Sequence, residues 1–297
     1  MKIYYGITTN LNDVTEKCMN QLLHNNTIII PSGDHNRSMF FNDHLVGVLK
    51  KIFIKMNDVI TDYPDNVQIK IDIINNTIQI INHNDNDINN KTAEIQSKLK
   101  INYGTFNDEL PEQKMVVRYL TGNEKVLEIG GNIGRNTLVI ASILNDSSNL
   151  VSLESDSVIA GQLNENKNLN NFNFHIENSA LSNRRLIQRG WDTIPSDTLL
   201  NGYNWVNTIT LNNLKNKYNI EFDTLVLDCE GAFYYILMDM PDILNNINLI
   251  IMENDYWDLT KKQYIDNVLI QNNFYRDYVE GGGWGPCYNN FFEVWKK

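Results

Sequence analysis

The chain has 297 residues, 42% of them hydrophobic, which is enough for one large domain or for a main domain with a smaller one. The formal net charge of −11 disfavours an extended nucleic-acid surface, because phosphate binding needs basic clusters. No apolar run reaches the roughly 18 residues of a membrane span, no signal peptide is recognised, and three separated cysteines suit a reducing compartment. We therefore expect a cytoplasmic protein without nucleic-acid or membrane partners.

Residues 1–90 are predicted to form a small α/β domain, because short strand and helix patterns alternate there without a motif that carries chemistry. The predicted elements are strands at 1–7 and 26–32, helices at 12–23 and 40–56, a hairpin at 67–81 and a polar linker at 82–91. The sequence does not assign a role to this domain, and the two alternatives are an oligomerisation domain and a substrate-presenting domain.

Residues 91–297 show a different pattern, in which continuous apolar strands alternate with helices. Helices are predicted at 92–101, 111–121, 136–144, 158–169 and 232–240, and strands at 125–130, 149–155, 173–180, 223–230 and 248–255. The runs 273–280 and 289–297 have no helix between them and predict a hairpin. This is an α/β, doubly wound, mostly parallel seven-stranded sheet with an antiparallel last strand, the Rossmann-like outline of class I methyltransferases.

A glycine-rich turn follows the first of these strands. Glu128, Gly130, Gly131, Asn132 and Gly134 form an acidic-x-G-x-x-x-G run that leads into a helix. A dinucleotide fold needs G-x-G-x-x-G, and Asn132 breaks that spacing. The run therefore predicts binding of S-adenosylmethionine, with the carboxylate of Glu128 beside the ligand's ammonium group; a plain tight turn is the alternative.

The next two strands end in residues that suit the rest of such a cofactor. Glu154, followed by Ser155, lies about 20 residues beyond the glycines, where a carboxylate can accept hydrogen bonds from ribose hydroxyls. Ser179 and Ala180 close the third strand, and we expect them against the adenine. Taken alone, each is equally compatible with an ordinary strand end or loop.

Three further carboxylates are expected in the reaction cleft, since ligands of doubly wound sheets bind outside the carboxyl ends of the strands. Asp228 and Glu230 follow one strand, and Glu253 ends the next. They are the predicted catalytic residues, and Asp228 is also counted among the cofactor contacts. Asp228 and Glu230 can act as a general base, orient a hydroxyl or hold a divalent metal, so metal dependence stays open.

Other polar and aromatic residues are assigned structural roles. His175 lies within a predicted strand and is interpreted as a packing residue. Trp257, Trp284 and Tyr288 can form a stacking wall for a sugar, but packing in the core or in the terminal hairpin is the favoured interpretation.

The chain resembles the FkbM family of O-methyltransferases over about residues 120–297. The segments that carry the resemblance, in order, are VLEIGGNIGRNTL (126–138), LNENKNLNN (163–171), NSALS (178–182), TITLNNL (208–214) and LVLDCEGAF (225–233). The resemblance implies methyl transfer from S-adenosylmethionine to a hydroxyl of a sugar, glycan or small natural product.

The chain departs from the family pattern at Val226, Phe233 and Asn212, where the family usually has Lys, Glu and Asp. Asp228 and Glu230 are kept. These departures leave room for a non-catalytic cofactor-binding module as the alternative function. A nicotinamide oxidoreductase is a third, weaker reading, because the glycine spacing and the terminal hairpin do not suit it.

Overall fold

The computed structural model describes residues 1–24, 26–81 and 85–297, so part of the predicted linker lies outside the described residues. Buried apolar side chains form two clusters. One contains residues between Ile3 and Ile71, and the other contains residues between Met115 and Trp295. The predicted division into two domains at residue 90 stays a prediction.

The N-terminal part consists of two antiparallel four-stranded sheets and two short helices. Its elements are β1 (Lys2–Ile7), β2 (Asn10–Asp13), α1 (Thr15–Gln21), β3 (Leu23–His24), β4 (Thr27–Ile30), α2 (Asp34–Phe41), β5 (Lys51–Met56), β6 (Val59–Tyr63), β7 (Gln68–Asp72) and β8 (Thr77–Ile81). The sheet orders are β2-β1-β5-β6 and β3-β4-β7-β8.

Two predictions for this part are wrong, whereas the strands expected at 1–7 and 26–32 and the helix expected at 12–23 are confirmed as β1, β4 and α1. The helix expected at 40–56 is absent. Helix α2 ends at Phe41, and the end of that range forms β5, which pairs antiparallel with both β1 and β6. Ile52 and Ile54 are buried in this sheet. The apolar spacing of the segment suits a helix or a strand, and pairing with the neighbouring strands decided in favour of the strand. The hairpin at 67–81 is present as β7 and β8. The polar run expected to be a linker is helical from Asp85.

The larger part follows. Its helices are α3 (Asp85–Lys98), α4 (Leu110–Tyr119), α5 (Arg135–Ile143), α6 (Ser157–Leu169), α7 (Leu211–Tyr218), α8 (Phe233–Asp239) and α9 (Leu259–Gln271). Its strands are β9 (Val126–Ile129), β10 (Leu150–Leu153), β11 (His175–Glu177), β12 (Ala180–Leu181), β13 (Leu186–Arg189), β14 (Asp192–Pro195), β15 (Asn204–Val206), β16 (Thr208–Ile209), β17 (Thr224–Leu227), β18 (Leu249–Glu253), β19 (Tyr275–Glu280) and β20 (Phe292–Lys296).

Seven of these strands form the central sheet, in the order β11-β10-β9-β17-β18-β20-β19. The pairs from β11 to β18 are parallel, and β20 is antiparallel to both of its neighbours. All residues of β9, β10 and β17 are buried, as expected of strands covered by helices on both faces. The predicted α/β, doubly wound, mostly parallel seven-stranded sheet with an antiparallel last strand is confirmed.

Two features of this part were not predicted. Strands β13, β14 and β15, which lie between β12 and β16 in the sequence, form a separate antiparallel sheet in the order β14-β13-β15. Helix α3 runs through residue 90, and Ile88 and Ile95 pack against the apolar cluster of the larger part. Within the described ranges, no helix combines the length and the apolar character needed to cross a bilayer.

Candidate active site

A cleft of about 880 Å³ opens at the carboxyl ends of the central parallel strands. Strands β9, β10, β17 and β18 each end at it, the position where doubly wound sheets bind ligands. Of the predicted site residues, those that line it are Gly130, Asn132, Glu154, Ser155, Ser179, Ala180, Asp228, Glu230 and Glu253. The sheet thus brings together residues that are spread over more than a hundred positions of the chain.

The glycines let the loop after β9 lie directly against the neighbouring strands. Gly130 has a φ of +93°, and a Cβ built on it would lie 1.6 Å from the backbone oxygen of Asp228. A Cβ on Gly131 would lie 2.1 Å from Ser152 Oγ. A Cβ on Gly134, where α5 begins, would lie 2.5 Å from the side chain of Leu163. Only Gly130 of the three lines the cleft, so the other two serve loop packing.

The predicted role of Glu128 as a ligand of an ammonium group needs correction. Its side chain is 2% exposed and lies beneath the loop, outside the cleft lining. Its Oε2 accepts hydrogen bonds of 2.6 Å from both Thr137 and Ser152. Burial raises the pKa of Glu128 to about 7. The residue therefore ties the loop to α5 and β10 rather than facing a ligand.

Glu154 is the carboxylate that borders the loop within the cleft. Its Oε2 accepts a hydrogen bond of 2.9 Å from the backbone N–H of Asn132, and its Oε1 accepts one of 2.8 Å from that of Asp156. Asn132 has a φ of +47°, which turns the loop toward this carboxylate. Burial raises the pKa of Glu154. Each carboxylate oxygen keeps a lone pair with which it can accept a hydroxyl.

The residues expected to border an adenine also line the cleft. Ser179 Oγ donates to Glu177 Oε1 at 3.0 Å, and Ala180 begins β12. Ser155 Oγ donates to Gln188 Oε1 of β13, at 3.1 Å. The additional small sheet thereby forms one wall of the cleft, which the sequence reasoning missed.

Asp228 and Glu230 lie together on the turn after β17. Glu230 has a φ of +49°, a sparsely populated conformation for a residue with a side chain. Burial, and then a hydrogen bond to the Asp255 carboxyl group, raise the pKa of Glu230 to about 8. Burial, and then the carboxylates of Glu109 and Glu112, raise the pKa of Asp228 well above its ordinary value. The turn thus presents two proton-binding groups to the cleft.

Glu253 ends β18 on the same side and has a partner that the sequence reasoning did not identify. Its carboxyl group is hydrogen-bonded to that of Glu112 in the first turn of α4. Burial, that hydrogen bond and the charge of Asp228 hold the pKa of Glu253 far above its ordinary value. Two acidic residues at a helix start are a common sequence pattern, and nothing in the sequence indicated that α4 would reach the cleft.

The electrostatic character of the cleft is strongly acidic. Ten Asp or Glu side chains and three Lys or Arg side chains line it. Two of the three cations are already paired with carboxylates: Arg135 Nη1 lies 2.6 Å from Glu109 Oε1, and Arg184 Nη2 lies 2.7 Å from Asp239 Oδ1. Such a cleft suits a cationic ligand and offers few partners to a phosphate.

Two tryptophans flank the cleft, and neither packs in the core, whereas Trp284 packs against Phe291 of the terminal hairpin, as one of the favoured interpretations expected. Trp257 is 73% exposed and Trp284 is 55% exposed, and both belong to the cleft lining. Trp284 Nε1 donates to Asp255 Oδ1 at 3.2 Å and its ring lies 5.6 Å from that of Phe291. His175, by contrast, packs its ring 4.7 Å from that of Tyr218, as a structural residue would.

Metal binding was left open for Asp228 and Glu230. Among the residues that the structure describes, no group of three or more His, Cys, Asp or Glu side chains is arranged to hold a metal ion. The two carboxylates instead have carboxyl neighbours with which they compete for protons.

The sequence matches no protein-family model and no curated protein. Several solved structures are similar to the chain. An O-methyltransferase from Bacillus cereus in complex with SAH is 16% identical and has a TM-score of 0.41, over 71% of this chain and 90% of its own.

Two further solved structures are an L11 ribosomal protein methylase from Lactobacillus delbrueckii subsp. bulgaricus and an rRNA methylase from Streptococcus thermophilus. The first is 11% identical with a TM-score of 0.40, over 66% of this chain and 79% of its own. The second is 11% identical with a TM-score of 0.40, over 63% of this chain and 94% of its own. A likeness this distant does not assign an activity.

Proposed function

We propose that the protein is an S-adenosylmethionine-dependent O-methyltransferase. The observation that carries this proposal is the acid-lined cleft beside the glycine loop, in which Glu154 is hydrogen-bonded to the Asn132 backbone. S-adenosylmethionine carries a positive sulfonium and a positive ammonium group. A nicotinamide dinucleotide carries a pyrophosphate, and this cleft offers it few cationic partners, because only three Lys or Arg side chains line it and two of them are paired with carboxylates.

The residues present suit this cofactor by their chemistry. The loop at Gly130 and Asn132 offers backbone at close range, and Glu154 offers acceptors for ribose hydroxyls. Ser179 and Ala180 offer a small, partly apolar surface for a base. When bound, the cofactor supplies an electrophilic methyl group.

In this proposal the protein acts by orienting the acceptor and by taking up its proton. An alcohol is a poor nucleophile, so loss of its proton must accompany the displacement. Asp228, Glu230 and Glu253 are the candidates for this role, because all three are carboxyl groups that line the cleft and can bind a proton there. Correct positioning of the hydroxyl supplies much of the remaining acceleration.

For the acceptor we propose a hydroxyl of a sugar, glycan or small natural product, as membership of the FkbM family would imply. Exposed tryptophans beside carboxylates support this, since aromatic faces pack against the C–H groups of a sugar ring and carboxylates accept its hydroxyls. The acidic cleft disfavours a phosphorylated acceptor.

The test is methyl transfer from labelled S-adenosylmethionine to a panel of neutral glycosides and glycans, with and without magnesium. Asp228→Asn is expected to abolish transfer while cofactor binding remains measurable. Asp223→Asn is the matched control, because Asp223 lies just before the opposite end of β17, outside the cleft lining.

Each result has a defined meaning. Full activity of Asp228→Asn would remove Asp228 from the mechanism. Absence of S-adenosylmethionine binding to the wild-type protein would overturn the proposed function. Binding without transfer to any hydroxylated acceptor would identify a cofactor-binding module instead.

We further propose that residues 1–90 form a separate domain that supports assembly or substrate presentation. Its two sheets enclose an apolar cluster of their own. A buried hydrogen bond of 2.7 Å, from Gln68 Nε2 to the Asp277 backbone oxygen of β19, joins it to the larger part. Light scattering of wild type and of variants at exposed apolar positions, such as Val46→Ser, tests the assembly role.

A further inference from the structure

The carboxyl groups of Glu112 and Glu253 meet inside the cleft, although one belongs to α4 and the other to β18. Glu112 is 7% exposed, and both residues belong to the cleft lining. Within the described residues, Glu112 Oε2 is buried and accepts no hydrogen bond from any N–H or hydroxyl group. A hydrogen bond between the two carboxyl groups requires that one of them holds a proton.

The surroundings of this pair make a second negative charge unfavourable. The charged and titratable groups that line the cleft around this pair are Glu109, Arg135, Asp228, Glu230 and Asp255. Glu128 lies beneath the loop, and its charge acts on Asp228. Arg135 is the single cation among these groups, and it is hydrogen-bonded to Glu109. Like-charged carboxylates this close cannot all be ionised unless a cation joins them.

We propose that Glu253 holds a proton in the free protein, in its hydrogen bond to Glu112, and releases it when a cationic cofactor enters the cleft, which leaves Glu253 as the base for the acceptor hydroxyl. This inference rests on the proposed function and gives Glu112 the role of a positioning residue. The proton is held by geometry: the buried Glu112 and the partly buried Glu253 are hydrogen-bonded to each other in a cleft poor in cations.

The charge balance of the reaction follows from this arrangement. The acceptor oxygen forms its bond to the methyl carbon while the carbon–sulfur bond breaks, and the electron pair of that bond stays on sulfur. The hydroxyl proton passes to the Glu253 carboxylate. One positive charge disappears at sulfur as one negative charge disappears at Glu253, so the charge in the cleft does not change.

The experiment is isothermal titration calorimetry of the full-length protein with S-adenosylmethionine and with S-adenosylhomocysteine, whose sulfur is uncharged. Titrations at pH 7.5 in phosphate and in Tris, which have different ionisation heats, give the number of protons released. We expect about one proton released with the sulfonium and clearly less with the thioether. The dissociation constant for the sulfonium should fall about tenfold per pH unit between pH 6 and 8.

Variants separate the pair from the rest of the cleft. Glu112→Gln and Glu253→Gln should each remove most of the proton release and flatten the pH dependence of binding, and the exposed Glu16→Gln should change neither. Equal heats in the two buffers, equal release with both ligands, or unchanged release in Glu112→Gln would each overturn the inference.

Two outcomes keep this test distinct from that of the function. If S-adenosylmethionine does not bind, both the proposed function and the proton release on binding of this cation are refuted. Binding without proton release refutes the inference alone and leaves the methyltransferase proposal standing. Circular dichroism of each variant checks that its fold is retained, and the wild-type comparison of the two ligands needs no variant.

Discussion

Replacement of Gly130 by alanine tests how closely the cofactor loop lies against β17. The alanine Cβ would lie 1.6 Å from the Asp228 backbone oxygen, a position that no side-chain rotation can relieve. The φ of +93° costs a residue with a side chain about 1–2 kcal/mol, and an extra carbon in a filled space costs a further ~1–3 kcal/mol. We therefore expect Gly130→Ala to lower the free energy of unfolding by about 2–5 kcal/mol.

Two other glycines provide graded comparisons. A Cβ on Gly134, at a φ of +98°, would meet the end of the flexible Leu163 side chain at 2.5 Å, so Gly134→Ala should cost less than Gly130→Ala. Gly161 lies within α6, where a Cβ would meet nothing within 4 Å, so Gly161→Ala should stabilise the protein by about 0.5–1 kcal/mol.

Urea unfolding with a common slope gives the three free energies. Gly130→Ala should also weaken S-adenosylmethionine binding, because the loop must separate from β17 to make room. If Gly130→Ala and Gly161→Ala have the same free energy of unfolding, the loop does not lie against the Asp228 carbonyl, and the reasoning fails.

Two further predictions concern buried charges. Burial raises the pKa of Glu128 from 4.5 to about 7, so the stability that this group contributes below pH 4.5 should be lost as the pH rises through 7, by up to about 3 kcal/mol. Urea unfolding from pH 4.5 to 8 should show a smaller loss of stability for Glu128→Gln than for the wild type. The same dependence of stability on pH in both proteins would contradict this prediction. Lys262→Met should cost about 1.5–3 kcal/mol in the same assay, because the buried Glu293, whose Oε2 lies 2.8 Å from Lys262 Nζ, would lose that partner and keep Arg276, whose Nη1 lies 2.6 Å from Glu293 Oε1. Lys215→Met removes a partner of the exposed Glu221 and is the control, expected to cost about 1 kcal/mol or less; equal effects of the two lysine variants would refute the distinction.

Sequence patterns predicted the central sheet well because its strands are buried on both faces. Continuous apolar runs such as β9, β10 and β17 leave few alternatives, and the absence of a helix between β19 and β20 indicated the antiparallel last strand. The N-terminal part was harder. Residues 40–56 have an apolar spacing that suits a helix or a strand, and pairing of β5 with β1 and β6 settled it.

The site, like the fold, was predicted in part from the sequence and decided in part by tertiary structure. The sequence by itself determined the glycine loop and the carboxylates at the strand ends, because position relative to parallel strands fixes which residues meet at one edge of the sheet. Tertiary structure alone decided which of them face the cleft: Glu128 is directed beneath the loop by Thr137 and Ser152, whereas Glu112 reaches Glu253 from a helix. Helix packing and side-chain direction are long-range properties, and no local spacing encodes them.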